Sequence, residues 1–63
     1  MAKSTYVFEI IGDDGEPLKR LTRRCDNLGA QARAQVILEE TPEAAAVISA
    51  EAHGRAVHAA YRE

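Results

Sequence analysis

The run TYVFEII, Thr5 to Ile11, constrains this chain more than any other feature. Its β-branched and aromatic residues suit a pleated strand. Alternation puts Tyr6, Phe8 and Ile10 on one face and Val7, Glu9 and Ile11 on the other. A strand leaves backbone N–H and C=O groups that need a neighbour, so the remaining chain has to supply a sheet. Gly12-Asp13-Asp14-Gly15-Glu16-Pro17 follows and is turn chemistry. Gly accepts positive φ there, and Asp bonds to its own backbone. The turn is the right length to bring the chain back beside Thr5–Ile11.

What returns is LKRLTRRC, Leu18 to Cys25. It carries Lys19, Arg20, Arg23 and Arg24, half of the basic residues in a chain of net charge -2. As a helix, it would set Leu18, Leu21, Thr22 and Cys25 on one side and gather the four charges on the other, with Pro17 at the first helical position. As a strand, it directs Lys19, Leu21, Arg23 and Cys25 one way and Arg20, Thr22 and Arg24 the other. The unmet backbone groups of Thr5–Ile11 favour the strand.

Asp26 reads as a helix N-cap, its carboxylate placed for the free N–H groups of the next turn. Ala30, Ala34, Ile37, Leu38 and Thr41 then recur at helical spacing, while Gln31, Arg33, Gln35, Glu39 and Glu40 fall mostly elsewhere. Small Ala residues on the inner side would let this helix sit close to a sheet. Pro42 disfavours helix at Thr41 and marks the end. Beyond it, Thr41-Pro42-Glu43 and the Ala run could start a second helix. Against that, Ile48 to His53 alternates apolar and polar, His53-Gly54 suits a tight turn, and Arg55 to Arg62 alternates again, with Val57, Ala59 and Tyr61 on one side and His58 and Arg62 on the other. This is a hairpin pattern, and Gly54 inside a helix would cost about 1 kcal/mol. The expectation is an α+β fold, ββαββ, with one antiparallel sheet and a single helix packed on one face. It occupies residues 1–63 as one small domain.

A domain of 63 residues buries only roughly 60% of its unfolded surface and is marginally stable alone. Twelve residues are Ala and only Tyr6, Phe8 and Tyr61 are aromatic, so the core is thin. The apolar residues available for it are Val7, Phe8, Ile10, Ile11, Leu28, Val36, Ile37, Leu38, Val47, Ile48 and Val57. Thin cores are often supplemented by disulfides, metals or oligomerisation. A single Cys25 rules out an internal disulfide and points to a cytoplasmic setting. A homodimer or a docked partner stays open. The start MAKSTYVFEI has no signal-peptide pattern, and Ala44–Ile48, the longest apolar run, is far short of a membrane span.

No catalytic or cofactor motif is present. His53, His58 and Cys25 lack a zinc-binding spacing, and Asp13, Asp14 and Glu16 lack that of a calcium loop. No phosphate-cradling glycine motif occurs, and Ser4 and Ser49 have no evident acid–base neighbours. The expectation is a protein that is not an enzyme and needs no cofactor or metal. Cys25 reads as a small hydrophobe at the end of its element.

Charge carries the remaining signal. Four basic residues in LKRLTRRC could contact phosphates, but the aromatics that single-strand binding uses are absent nearby, and the pI near 5.6 does not suit binding by bulk charge. On an edge strand, the same residues would guard against mispairing. Asp13, Asp14 and Glu16 form one acidic group, and Glu39, Glu40 and Glu43 another. Acids at a helix C-terminus oppose the macrodipole, which suggests a basic partner, although plain solubility accounts for them more readily. Candidate partner-binding residues are Lys19, Arg20, Arg23, Arg24, Arg33, Asp13, Asp14, Glu39 and Glu40, with a protein partner ahead of nucleic acid.

YVFEII, the basic return, the helix DNLGAQARAQVILEE and the closing AVISAEAHGRAVHAAYRE together resemble, in size, order and spacing, the small phage-encoded anti-CRISPR proteins of ββαββ layout. That resemblance implies a non-enzymatic inhibitor that docks on a CRISPR surveillance complex or nuclease in the host cytoplasm and blocks DNA access, using basic clusters beside the DNA path or acidic ones imitating DNA. It assigns no role residue by residue. The alternative is a small nucleic-acid-binding domain using residues 19–24.

Overall fold

The computed structural model describes residues 3–54 and 57–62. The chain runs β1 (Ser4–Gly12), β2 (Pro17–Cys25), α1 (Asn27–Glu40), β3 (Ala44–Glu51) and β4 (Val57–Tyr61). The strands form one antiparallel sheet in the order β2-β1-β3-β4, with α1 on one face. LKRLTRRC is therefore a strand, and the last third is a hairpin rather than a second helix. Residues 55 and 56 of its expected second strand lie outside the described ones.

Local chemistry accounts for these boundaries. In the first turn, Gly15 takes φ +83°, its N–H donates to the Gly12 carbonyl at 3.0 Å, and the Glu16 N–H donates to the Asp14 carboxylate at 3.1 Å. Gly54 takes φ +77° in the second turn, and its N–H donates to the Glu51 carbonyl at 2.8 Å. The Asp26 Oδ1 accepts from the Gly29 N–H at 2.7 Å, capping α1 as its position foretold. Thr41 leaves the helix at φ -119°, ψ 90°, the extended backbone that a following proline demands.

Register divides the sheet cleanly. Facing α1 are Tyr6, Phe8 and Ile10 of β1, Val47 and Ser49 of β3 and Ala60 of β4, against Ala30, Ala34, Ile37 and Leu38 of the helix. Phe8 and Val47 are wholly buried. Ser49, also buried, donates its hydroxyl to the His58 carbonyl at 3.3 Å. Leu21 and Cys25 pack against the edge of this cluster. The opposite face carries the Thr5–Arg24 pair and three rows that run across three or more strands. The rows are Thr22–Val7–Ala50–Val57, Arg20–Glu9–Ile48–Ala59, and a third in which Ile11, Ala46 and Tyr61 align.

Several residues expected in the core are not there. Leu28 is 68% exposed, Val36 44% and Val57 70%. Leu28 and Val36 are apolar, but they fall off the helical stripe defined by Ala30, Ala34, Ile37 and Leu38. Val7, Ile11 and Ile48 are half-buried on the outer face. Val57 shares their fate because β4 turns Ala60, not Val57, toward the helix. The core instead takes in Ala30, Ala34, Ala44 and Ala60, whose small side chains let α1 settle close to β3 and β4. No helix among the described residues is long and apolar enough to cross a membrane.

Candidate functional site

Two irregularities at the turn end of the sheet shape its surface. Ile10 pairs with Lys19 and Ile11 with Pro17, so Leu18 is the extra residue of a β-bulge. Ile11 pairs with Ala46 and Gly12 with Ala44, so Ala45 is extra in β3. A bulge re-aims the side chains around it. Leu18 is thereby carried over Gly12 on the helix side, where a Cβ on Gly12 would stand 3.2 Å from the Leu18 side chain. The glycine leaves room for that leucine.

The helix packs mainly on β3 and β4 and reaches β1 only at its margin. The helix-side surface of β1 and β2 is thus partly uncovered. Between it and the end of α1 lies a groove of about 570 Å³, lined by Ile10, Leu18, Lys19, Leu21, Ile37, Glu40, Thr41 and Glu43. Its floor is apolar. Lys19 lines it from β2, with Glu40 and Glu43 coming from the end of α1 and the loop after it. None of these three charges lies within ion-pair distance of an opposite charge among the described residues. They are available to whatever enters.

The carbonyl end of α1 is held by a residue the sequence reading gave no role. Arg62, just past β4, donates from Nε to the Ala44 carbonyl at 2.8 Å and from Nη2 to the Thr41 carbonyl at 2.8 Å, with a further contact from Nη2 to the Leu38 carbonyl. Its backbone N–H also donates to the Ala45 carbonyl at 3.0 Å. The last turn of α1 contains no basic residue, and Glu39 and Glu40 there oppose the macrodipole. Arg62 brings the missing positive charge and the missing donors from across the sheet. The acids at the helix end therefore have a compensating charge within the fold, and Glu40 remains free to face the groove.

The structure separates the remaining candidates. Lys19 and Arg23 stand on the helix side of β2, and Arg20 and Arg24 on the outer side. Arg20 is tied to Glu9, Nη2 to Oε2 at 3.0 Å, and Arg23 donates to the Thr22 carbonyl at 2.9 Å. The four basics make no single patch. Asp13 and Asp14 sit exposed at the first turn. Glu39 is exposed and does not line the groove. Arg33 borders a shallow depression of about 210 Å³ on α1 with Gly29, Ala32 and Val36. Of the candidates, only Lys19 and Glu40 come together in the groove. Leu18, Leu21, Ile37 and Glu43 join them. Leu18 had a sequence signal in retrospect: a leucine directly after a turn proline, out of step with the alternation of its strand.

Tyr6, 5% exposed on the helix side, has its phenol held above 10.0 by burial first, then by Glu51, Cys25 and Asp26. His53 is exposed and His58 half-buried. No group of three potential metal ligands gathers among the described residues. No family model, curated protein or solved structure is found to match this chain.

Proposed function

We propose that the chain is a non-catalytic protein-interaction module that docks through the groove between β2 and the end of α1, and that its target is a host defence complex of the CRISPR type, held so as to block DNA access. The observation that carries the docking mode is the groove itself. An apolar floor of Ile10, Leu18, Leu21 and Ile37 lies between Lys19 and the pair Glu40 and Glu43, all three charges unpaired among the described residues. Specific interfaces combine a desolvated apolar centre with a polar rim. The matching partner segment carries an apolar side chain for the floor, a basic residue for Glu40 and Glu43 and an acidic one for Lys19. Support for the class of target comes from the small ββαββ layout shared with phage inhibitors.

Two measurements test this reading. The chain is titrated into purified CRISPR surveillance complexes, with DNA cleavage as the readout. Inhibition by the wild type and its loss in Leu18→Glu/Lys19→Glu support the proposal, and a chain that leaves every such complex active removes the target. In parallel, anisotropy of a labelled DNA duplex at low salt distinguishes the nucleic-acid reading. Tight, salt-dependent binding that disappears when Lys19, Arg20, Arg23 and Arg24 are neutralised would replace protein docking by phosphate contact.

A further inference from the structure

The groove uses one side of the sheet. Among the described residues, no element packs on the other side, and we propose that a second copy of this chain covers it, the two sheets stacking face to face about a two-fold axis. This face is distinct from the groove, and the inference does not depend on the reading above.

Three observations carry it. First, an antiparallel sheet with one wet face normally alternates apolar-in, polar-out. Here β3 and β4 present only apolar side chains outward, with Val57 and Tyr61 each 70% exposed beside half-buried Ile48. Contiguous exposed apolar surface of this kind marks an interaction site. Second, the size fits. A standard interface removes about 800 Å² per partner, just under a fifth of the 4351 Å² this chain exposes. A broad face of a body 34 × 18 × 15 Å is roughly that share of its surface.

Third, the charges around the patch are arranged for a second copy. Arg24, outward-facing at the far end of β2, pairs across the sheet with Thr5, whereas the acidic turn Asp13–Glu16 closes the other end of the same hairpin. The three rows named above lie between, apolar throughout on β3 and β4. A two-fold axis crossing the strands near the Arg20–Glu9 row sets the Arg24 end of each copy over the acidic turn of the other. The contact is then isologous, as closed dimers require. Arg20 and Glu9 enter it already paired at 3.0 Å, so neither charge is buried alone. Both grooves stay open on the outer sides of the pair.

Sedimentation velocity of the full chain from micromolar to millimolar concentration tests this. The expected result is a species of twice 6.9 kDa that reverts to monomer in Val57→Lys and in Tyr61→Lys, with unchanged circular dichroism. Both positions are exposed in the single chain, so these variants keep its fold. Arg24→Glu raises the dimer Kd about tenfold, and Arg24→Glu/Asp13→Arg restores it, since the end carrying residue 24 lies over the acidic turn of the other copy. A wild-type chain that stays monomeric throughout overturns the proposal. So does a dimer indifferent to Val57→Lys and Tyr61→Lys. If a photo-crosslinking residue at position 57 captures only a different protein, the second copy is not the occupant. Failure of the charge swap in an otherwise sensitive dimer excludes the axis across the strands.

Discussion

The two faces of one sheet are built on different plans. On the helix side, a few large residues, Phe8, Ile10 and Val47, are fitted against Ala30, Ala34 and Ala60. Large and small interdigitate, so the helix comes close and the layer is buried. On the outer side, Val7, Ile11 and Ile48 are half-buried among their strand neighbours, Val57 and Tyr61 stand exposed, and no described element packs over them. The first face is closed by the sequence itself. The second is apolar on β3 and β4, and no described element packs on it. The lesson is that apolar residue count does not measure the core of so small a domain. Side-chain size matched across the layer does.

Breaking the closed face has the largest effect. Phe8→Ala removes a wholly buried ring and is expected to cost about 3–5 kcal/mol. Domains this small rarely hold more than roughly 3–5 kcal/mol in total, so a thermal melt of this variant should show no cooperative transition. Arg62→Ala strips the donors from the Leu38 and Thr41 carbonyls at the end of α1 and from the Ala44 carbonyl of β3. Charge-assisted bonds are worth about 1.5–3 kcal/mol, and partial exposure here lowers the expected loss to about 1–2 kcal/mol. Urea denaturation measures it, and Arg62→Lys should recover part. Asp26→Ala is smaller, about 1 kcal/mol, and Asp26→Asn should sit within a few tenths of wild type because both side chains cap.

The gentlest perturbation is pH. Burial raises the Tyr6 pKa above 10.0 in the folded chain, so the unfolded chain releases this proton first. The stabilisation is complete below pH 10.0 and declines as pH rises from there through the folded-state value. Melts across that range should show a decline that Tyr6→Phe abolishes. A slope equal in both proteins would mean that Tyr6 is not the group sealed on the helix side.

How far the sequence reveals this arrangement follows from the range of each determinant. Strand β1, both glycine turns, the Asp26 cap and the stop at Thr41-Pro42 rest on neighbours a few residues apart, and all were legible. So was the split of Lys19 and Arg23 from Arg20 and Arg24, which follows from alternation once β2 is a strand. The direction of β4 was not. Its alternation was plain, but whether Val57 or Ala60 faces inward depends on the helix sitting close enough to admit only alanine. The groove was hidden for a similar reason. It exists because bulges at Leu18 and Ala45 coincide at one end of the sheet while α1 is displaced toward β3 and β4. Arg62 reaches α1 across more than twenty residues of sequence, and no local pattern signals that.

The claim that one face is closed by the chain and the other by a second copy can be read directly from methyl groups. Methyl NMR spectra recorded with a soluble paramagnetic agent, at low and at high protein concentration, report the solvent access of each residue. The account predicts that Val47 and Ile10 are shielded at both concentrations, whereas Val57 and Ile48 are broadened in dilute solution and become shielded as concentration rises. Val57 and Ile48 broadened equally at both concentrations would contradict it.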